Sequence, residues 1–113
     1  MKDIIEYVNG TVVECNTAYD GLRTNNEDHR KLLEKHGWDK YYQVDIMDSD
    51  GDITLNIPDG KVIKQNYVGS HLTNYDSMLV LSHFKGHPMG GFGGVIKQLS
   101  IGVASTAGKC YIH

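Results

Sequence analysis

The glycine-rich stretch from Ser82 to Lys97 constrains the folding of this chain more than any other feature. Five glycines fall between Gly86 and Gly94, in the sequence Ser-His-Phe-Lys-Gly-His-Pro-Met-Gly-Gly-Phe-Gly-Gly-Val-Ile-Lys. Because glycine lets the backbone adopt positive φ angles and approach a ligand closely, the stretch predicts a ligand-holding loop. It carries basic side chains and no carboxylate, so we expect its ligand to be anionic or metal-bearing.

The segments on either side of this loop predict the fold class. Ser77–Leu81 is a short apolar run typical of a buried strand, and the residues after Gly94 predict the start of a helix. α/β sheets usually bind ligands where a strand leads through a loop into a helix, whose free N–H groups favour negative charge. We therefore expect an α/β fold, with a mostly parallel sheet, helices on its faces and Ser77–Leu81 as an interior strand. Residues 52–68 add one antiparallel hairpin.

Other segments also have patterns typical of helices, strands or turns. Residues 2–8 predict a helix, and residues 11–15 and 41–46 predict strands. Residues 24–37 predict a second helix, because the segment opens with capping-box spacing and ends on a glycine. Residues 48–52 favour a polar turn over a calcium loop, since their glycine comes two places too early for calcium ligation.

Length, composition and charge limit the classes of protein. With 113 residues and 40% hydrophobic content, the chain predicts a single folded domain over residues 1–113. A formal charge of −3 gives no support for nucleic-acid binding, and no apolar run reaches membrane-span length. Cys15 and Cys110 lie far apart, which disfavours a zinc or iron–sulfur site built from this chain alone. No signal-peptide core is present, so we expect reduced thiols and a cytoplasmic location.

Two loops are expected to meet in one cleft. Asp20–His29 follows the strand predicted at residues 11–15, and Ser82–Lys97 follows the strand predicted at Ser77–Leu81. Parallel strands end at the same edge of a sheet, which would bring these loops together around a small anionic ligand or cofactor. The expected ligand-binding residues are Asp20, Arg23, His29, His83, Lys85, Gly91, Gly93 and Gly94.

Lys97 and His87 are the expected catalytic residues. A lysine near apolar groups or other cations has a depressed pKa and can act as a nucleophile. Lys97 also stands at a predicted helix start, where a lysine is unfavourable for the helix dipole, so stability does not explain it. Each of these side chains also has a purely structural alternative. The lysine could extend into solvent, and the loop histidines could serve only to stiffen the loop. Arg23 could form a surface ion pair, and His29 could pack in the core.

The glycine-rich stretch, continued by Gly102-Val-Ala-Ser-Thr-Ala-Gly-Lys109, resembles an uncharacterised domain of bacterial and archaeal iron–sulfur cluster-binding proteins. Cys15-Asn-Thr-Ala-Tyr-Asp-Gly-Leu-Arg-Thr-Asn, followed by Asp28-His29, resembles that family's other motif. Longer members carry an N-terminal segment, and many also carry a ferredoxin-like segment with cysteines that bind two four-iron four-sulfur clusters. The resemblance implies that this chain is an excised central part with no cluster of its own, and that the ferredoxin-like segment is its partner.

A second resemblance is to the nickel-pincer lactate racemases. His87, Lys97 and His113 stand at the intervals of the residues that hold the nickel-bearing cofactor in those enzymes, where the lysine is the covalent anchor. This resemblance implies His87 and His113 as metal ligands and nickel, or another metal cofactor, in the site. The sequence departs from the racemase pattern before Arg23, where Leu22 stands in place of a histidine.

Two functions are therefore expected as alternatives. The first is a ligand- or cofactor-binding domain for an anionic or metal-containing ligand, for which the resemblances imply redox or racemase-like chemistry. The second is a non-catalytic scaffold that positions a ferredoxin-like domain, with the glycines serving packing alone. A bound small molecule or metal would favour the first function. An empty site, with His and Lys variants that behave like the wild type, would favour the second.

Overall fold

The computed structural model describes residues 2–113, in which short helices and short strands are mixed. The helices are α1 (Lys2–Val8), α2 (Asn26–Lys35), α3 (Val95–Gly102) and α4 (Thr106–Ile112), with a 3₁₀ helix at Ser70–Asn74. The strands are β1 (Val12–Glu14), β2 (Val44–Ile46), β3 (Asp52–Asn56), β4 (Gln65–Gly69), β5 (Lys85–His87) and β6 (Gly91–Gly93). The mixture of helices and strands confirms the coarse prediction of an α/β chain.

The strands pair two by two. β1 and β2 are parallel, with Val13 opposite Asp45. β3 and β4 are antiparallel, with Thr54 opposite Tyr67, and this confirms the hairpin predicted at residues 52–68. β5 and β6 form a second short antiparallel hairpin. The predicted mostly parallel sheet is therefore wrong, because within residues 2–113 parallel pairing is confined to β1 and β2.

The Ser77–Leu81 run requires a second correction, because it forms no strand in the described chain. Leu79 is 59% exposed. A strand needs a neighbour for its backbone hydrogen bonds, and residues 2–113 place no strand beside this segment. Instead, the Gln98 side chain donates to the carbonyl oxygen of Leu81 at 3.3 Å. Short apolar runs do not by themselves specify a strand, so the predicted interior strand is wrong.

Helix α2 begins with a reciprocal cap. The Asn25 side-chain oxygen accepts a hydrogen bond from the backbone N–H of Asp28 at 2.9 Å, and the Asn25 amide nitrogen donates to the Asp28 carboxylate at 2.8 Å. The first bond satisfies a backbone donor that the first helical turn would otherwise leave free, and the second joins the two side chains. Gly37, with a φ of 73°, follows the helix and allows the chain to turn away. The predicted helix over residues 24–37 is thus confirmed, with its cap one residue later than Thr24.

The core lies where the ends of β1, β2 and β4 meet the segment before α4. Its buried apolar side chains are Cys15, Ile46, Met47, Val68 and Ala104. Val68 and Ala104 form an isolated antiparallel bridge. The backbone N–H of Met47 donates to the backbone carbonyl oxygen of Glu14 at 2.8 Å. Backbone hydrogen bonds between elements therefore complement a small apolar core.

Helix α4 packs closely on β4. A Cβ built on Gly108 would lie 2.0 Å from the backbone oxygen of Tyr67, so only glycine fits there. Ser105 caps the helix by accepting a hydrogen bond from the Gly108 N–H at 3.1 Å and donates its own hydroxyl to Asp52 at 2.9 Å. These contacts fix the orientation of α4, and with it the position of Lys109, the next residue.

The β5–β6 hairpin and α3 leave apolar side chains exposed. Phe84 and Phe92 are 72% and 65% exposed, with ring centroids 5.5 Å apart, and Ile96 is 84% exposed.

No helix in residues 2–113 combines the length and the apolar character needed to cross a membrane.

Candidate functional site

A cavity of about 550 Å³ lies between the end of β1, the loop after it, the β5–β6 hairpin and α3. Its charged side chains are Glu14, Arg23, Lys85, Lys97 and Lys109. With histidines neutral, four cations and one carboxylate give the lining a formal charge of +3. The cavity is therefore strongly positive, although the whole chain carries −3.

The structure places most of the predicted site residues on this cavity. Those that line it are Arg23, His83, Lys85, His87, Gly93, Gly94 and Lys97. Those that are not part of its lining are Asp20, His29, Gly91 and His113. The two predicted loops thus share one cleft, while the ligand-binding and catalytic roles of their residues stay predictions.

The loops meet for a reason other than the predicted sheet. The thiol of Cys15, which follows β1, contacts the carbonyl oxygen of Val103 at 3.5 Å, and Val103 directly follows α3. The N–H of Gly69, at the end of β4, also donates to the Val103 oxygen at 3.1 Å. These links join the end of β1 to the end of α3, whose other end carries the glycine-rich hairpin.

Lys109 is a site residue that the sequence analysis missed. It is 5% exposed, and its Nζ donates to the carbonyl oxygens of Asn16 and Ala104 at 2.6 and 2.7 Å. Burial lowers the pKa of the Lys109 ammonium, whereas nearby Cys15 and the acidic side chains raise it. Gly108, the residue before it, permits the close packing of α4 on β4. The sequence alone does not show that this contact buries Lys109.

Asn16 connects Lys109, which lines the positive cavity, to the neighbouring elements. Its side-chain amide donates to Asn26 at 2.7 Å, and its backbone N–H donates to Asp48 at 2.9 Å. Its side-chain oxygen lies 3.0 Å from His29 Nδ1, and its backbone oxygen accepts from Lys109. Since Asn16 is 6% exposed, this buried residue fixes four neighbours at once.

His29 is not part of the cavity lining but contacts Asn16. The side chain is fully buried, its Nδ1 is held by Asn16, and its Nε2 has no hydrogen-bond partner within the described residues. Burial lowers the pKa of His29, and the positive charge of Arg23 lowers it further. His29 is therefore a neutral, packed histidine that positions Asn16.

His87 presents a hydrogen-bond donor. The backbone N–H groups of Met89 and Gly90 donate to His87 Nδ1 at 3.3 and 3.1 Å. The neutral ring must then carry its proton on Nε2. Gly91, with a φ of 71°, allows the tight turn that creates this arrangement. An Nε2–H group suits an anion, whereas a metal ion needs a free nitrogen lone pair.

The described residues do not fit a metal or an iron–sulfur centre well. Residues 2–113 contain no group of three or more His, Cys, Asp or Glu side chains placed to hold a metal ion. The expected metal pair is not brought together on the cavity, because His87 lines it and His113 does not. Cys15 is buried and Cys110 exposed, and two cysteines cannot supply the thiolates of a typical cluster.

Two acidic groups of the cavity are perturbed by burial. Burial raises the pKa of the Glu14 carboxyl, while the charges of Arg23 and Lys109 lower it. Burial also raises the pKa of the Cys15 thiol to about 12. Cys15 is therefore a protonated, packed thiol at neutral pH and is unsuited to nucleophilic attack.

A second cavity, of about 530 Å³, is lined by polar side chains near α2 and α4. Its two carboxylates are already bonded to the chain: Asp48 accepts from the N–H groups of Asn16 and Thr106, and Asp52 accepts from the Ser105 hydroxyl. These hydrogen bonds give both carboxylates a structural role within the chain. The positive cavity is therefore the better candidate for a ligand site.

Comparisons with known proteins give one match. Neither the curated proteins nor the solved structures contain a match to this chain. A family model described as "Domain of unknown function (DUF362)" matches residues 1–113. Because that match covers the entire sequence, the chain belongs to the DUF362 family.

Proposed function

We propose that this chain is a ligand-binding domain that holds a small anionic ligand or cofactor in its positive cavity. One observation carries the proposal: four of the eleven Lys and Arg residues line the cavity, against one of the fourteen Asp and Glu residues. Such segregation of charge raises the local concentration of anions in a cleft and speeds their association.

The cations of the cavity are not explained by ion pairs. Among residues 2–113, the ion pairs made by lysine involve Lys2 and Lys31, both on helices outside the cavity. Four cations around one cleft repel one another, and this costs stability unless an anion offsets it. A small ligand with phosphate or carboxylate groups would supply that compensation.

Metal binding is a less favourable interpretation of the same site. A bare metal cation would meet a lining of formal charge +3, and His87 offers a proton there in place of a lone pair. An anionic cofactor that brings its own metal fits the charge better. The sequence resemblances imply redox or racemase-like chemistry for such a cofactor, and that chemistry stays a proposal.

Lys97 and His87 are the proposed functional side chains at the mouth of the cavity. Lys97 lies in the first turn of α3, where its charge opposes the helix dipole, and its side chain runs over Gly93. A Cβ on Gly93 would lie 3.3 Å from Lys97 Cδ, so this glycine leaves room for the lysine stem. Both features are explained if Lys97 is placed for a ligand rather than for helix stability.

Isothermal titration calorimetry with pyrophosphate at constant ionic strength tests the proposal. We expect binding by the wild-type chain and about tenfold or greater weakening in Lys97→Met, because a hydrogen bond to a charged group contributes about 1.5–3 kcal/mol. Lys61→Met, an exposed lysine between β3 and β4 that lies outside the cavity, is the matched control and should bind as the wild type does.

Two results would contradict this function: no binding of pyrophosphate or citrate at millimolar concentration, or equal weakening in Lys97→Met and Lys61→Met. Intact-mass and metal analysis of the purified protein adds an independent test. A retained small molecule or a modified lysine would identify the ligand class directly.

A second candidate function rests on the exposed apolar side chains of the hairpin. Phe84, Phe92 and Ile96 lie in solvent beside the cavity, which favours a scaffold that positions a ferredoxin-like segment. The double variant Phe84→Ser, Phe92→Ser should then lose association with that segment while pyrophosphate binding persists. Association that survives this change would exclude the hairpin as the contact surface.

A further inference from the structure

We infer that Lys109 is the anchoring cation of the positive cavity and that its ligand is a small molecule with at least two negative charges. The inference rests on the proposed function and goes beyond it, because it assigns a ligand-contacting role to a residue outside the glycine-rich stretch. It also narrows the ligand from any anion to a multiply charged one.

The hydrogen bonds of Lys109 leave one donor for a ligand. A protonated lysine has three N–H groups, and two of them are used by the carbonyl oxygens of Asn16 and Ala104. The side chain also lines the cavity. The remaining N–H is therefore held in a fixed direction by two backbone contacts, which removes most of the rotamer entropy that a surface lysine loses on binding.

The proposed contact uses the ammonium form, which keeps a third N–H beyond the two that the backbone oxygens accept. The two donor–acceptor distances are 2.6 and 2.7 Å. Burial, the largest effect, lowers the pKa of the Lys109 ammonium, and Arg23 lowers it further, whereas Cys15, Asp48 and Glu14 raise it. A 5% exposed ammonium with two neutral acceptors is poorly compensated, so an anion that reaches it gains a strong, partly desolvated contact.

The charge of the ligand follows from the lining. Arg23, Lys85 and Lys97 add to Lys109, and Glu14 is the one carboxylate. A single negative charge would leave the cavity at +2, two would leave it at +1, and three would neutralise it. A dicarboxylate, a phosphate monoester and a diphosphate share this chemistry, and the experiment separates them.

A purely structural role for Lys109 is the competing explanation. Its hydrogen bonds join Asn16 to Ala104. Loss of the Lys109 side chain therefore affects folding whether or not a ligand binds. The test must therefore compare ligands as well as variants, and it must include a measurement on the wild-type chain.

Calorimetric titrations with acetate, succinate, inorganic phosphate and pyrophosphate, at constant ionic strength, test the ligand class. We expect the multiply charged probes to bind wild type about tenfold or more tightly than acetate does, and Lys109→Met to reduce that preference. Lys61→Met should retain it. If acetate binds as tightly as the other probes, the inference on ligand charge is wrong while the proposed function stands. If no probe binds, the proposed function itself fails.

A nuclear magnetic resonance titration of the wild-type chain avoids the folding question. With ¹³C-labelled lysine, the Cε resonance of Lys109 should shift as pyrophosphate is added, and that of Lys61 should not. Binding that shifts Lys85 and Lys97 while leaving Lys109 unchanged would overturn the assignment of Lys109. It would leave an anion site made of the exposed lysines alone.

Discussion

Replacing Gly108 by alanine tests the packing that places Lys109 in the cavity. The added Cβ would lie 2.0 Å from the Tyr67 backbone oxygen and 3.0 Å from the Asn66 side-chain oxygen. A normal carbon–oxygen contact is about 3.3 Å or longer, so α4 and β4 must separate by roughly 1 Å. Since the nearest atom belongs to the backbone of a paired strand, a side-chain rotation cannot relieve the contact.

The expected loss of stability follows from two opposing effects. Overpacking costs about 1–3 kcal/mol, and a backbone contact this short favours the upper end. Alanine recovers about 1 kcal/mol of helix propensity relative to glycine. The net decrease in the free energy of unfolding is therefore about 2 kcal/mol, which lowers Tm by about 8 °C in a domain of this size.

Thermal unfolding followed by circular dichroism measures this change, with Gly102→Ala as the matched control. Gly102 ends α3, and a Cβ there meets no atom within 4 Å, so alanine should leave Tm unchanged or raise it slightly. An equal or higher Tm for Gly108→Ala would refute the close packing of α4 on β4. It would also remove the structural reason for the burial of Lys109.

The remaining predictions concern titration and thiol access. Both ring nitrogens of His71 contact carboxylates, Asp45 at 2.8 Å and Asp50 at 2.7 Å, and these bonds raise the pKa of His71. Its stabilising effect is thus complete below the ordinary pKa of about 6.5 and is lost as pH rises through the folded value. The Tm difference between wild type and His71→Gln should shrink from pH 6 to pH 8, and a difference that grows would contradict the network. For the thiols, Ellman's reagent should label exposed Cys110 in the native chain and reach buried Cys15 only after unfolding, whereas rapid labelling of both would show that the core is open.

Local signals predicted the local structure well. Helix α2 has its polar cap and its terminal glycine within the same short segment, and the β3–β4 hairpin has the turn sequence Pro58-Asp-Gly60 between its strands. These features depend on neighbours in sequence. The mostly parallel sheet depended on long-range pairing of Ser77–Leu81, for which apolar composition supplies no partner. That part of the fold could not be predicted from composition alone.

The candidate site shows the same division. His87 and Lys97 could be placed in one cleft with Arg23 because each lies in or beside a loop with a distinctive sequence. Lys109 could not, since an isolated lysine is usually exposed and its burial depends on the contact between Gly108 and β4. For His29, the sequence left a ligand-binding and a packed histidine as alternatives, and the structure buries the side chain against Asn16.

Asn16 explains how so small a core supports a charged cavity. The backbone N–H of Asn16 donates to Asp48 in the turn after β2, and its backbone oxygen accepts from Lys109 in α4. Its side chain contacts His29 and Asn26 of α2. These buried hydrogen bonds hold Asn16 and its partners in place, although Nε2 of His29 has no partner within the described residues. A backbone carbonyl, unlike a carboxylate, holds the lysine without neutralising it. The Lys109 amine is thus fixed in place, and its protonated form keeps a third N–H for a ligand, which is the property that the proposed anion site requires.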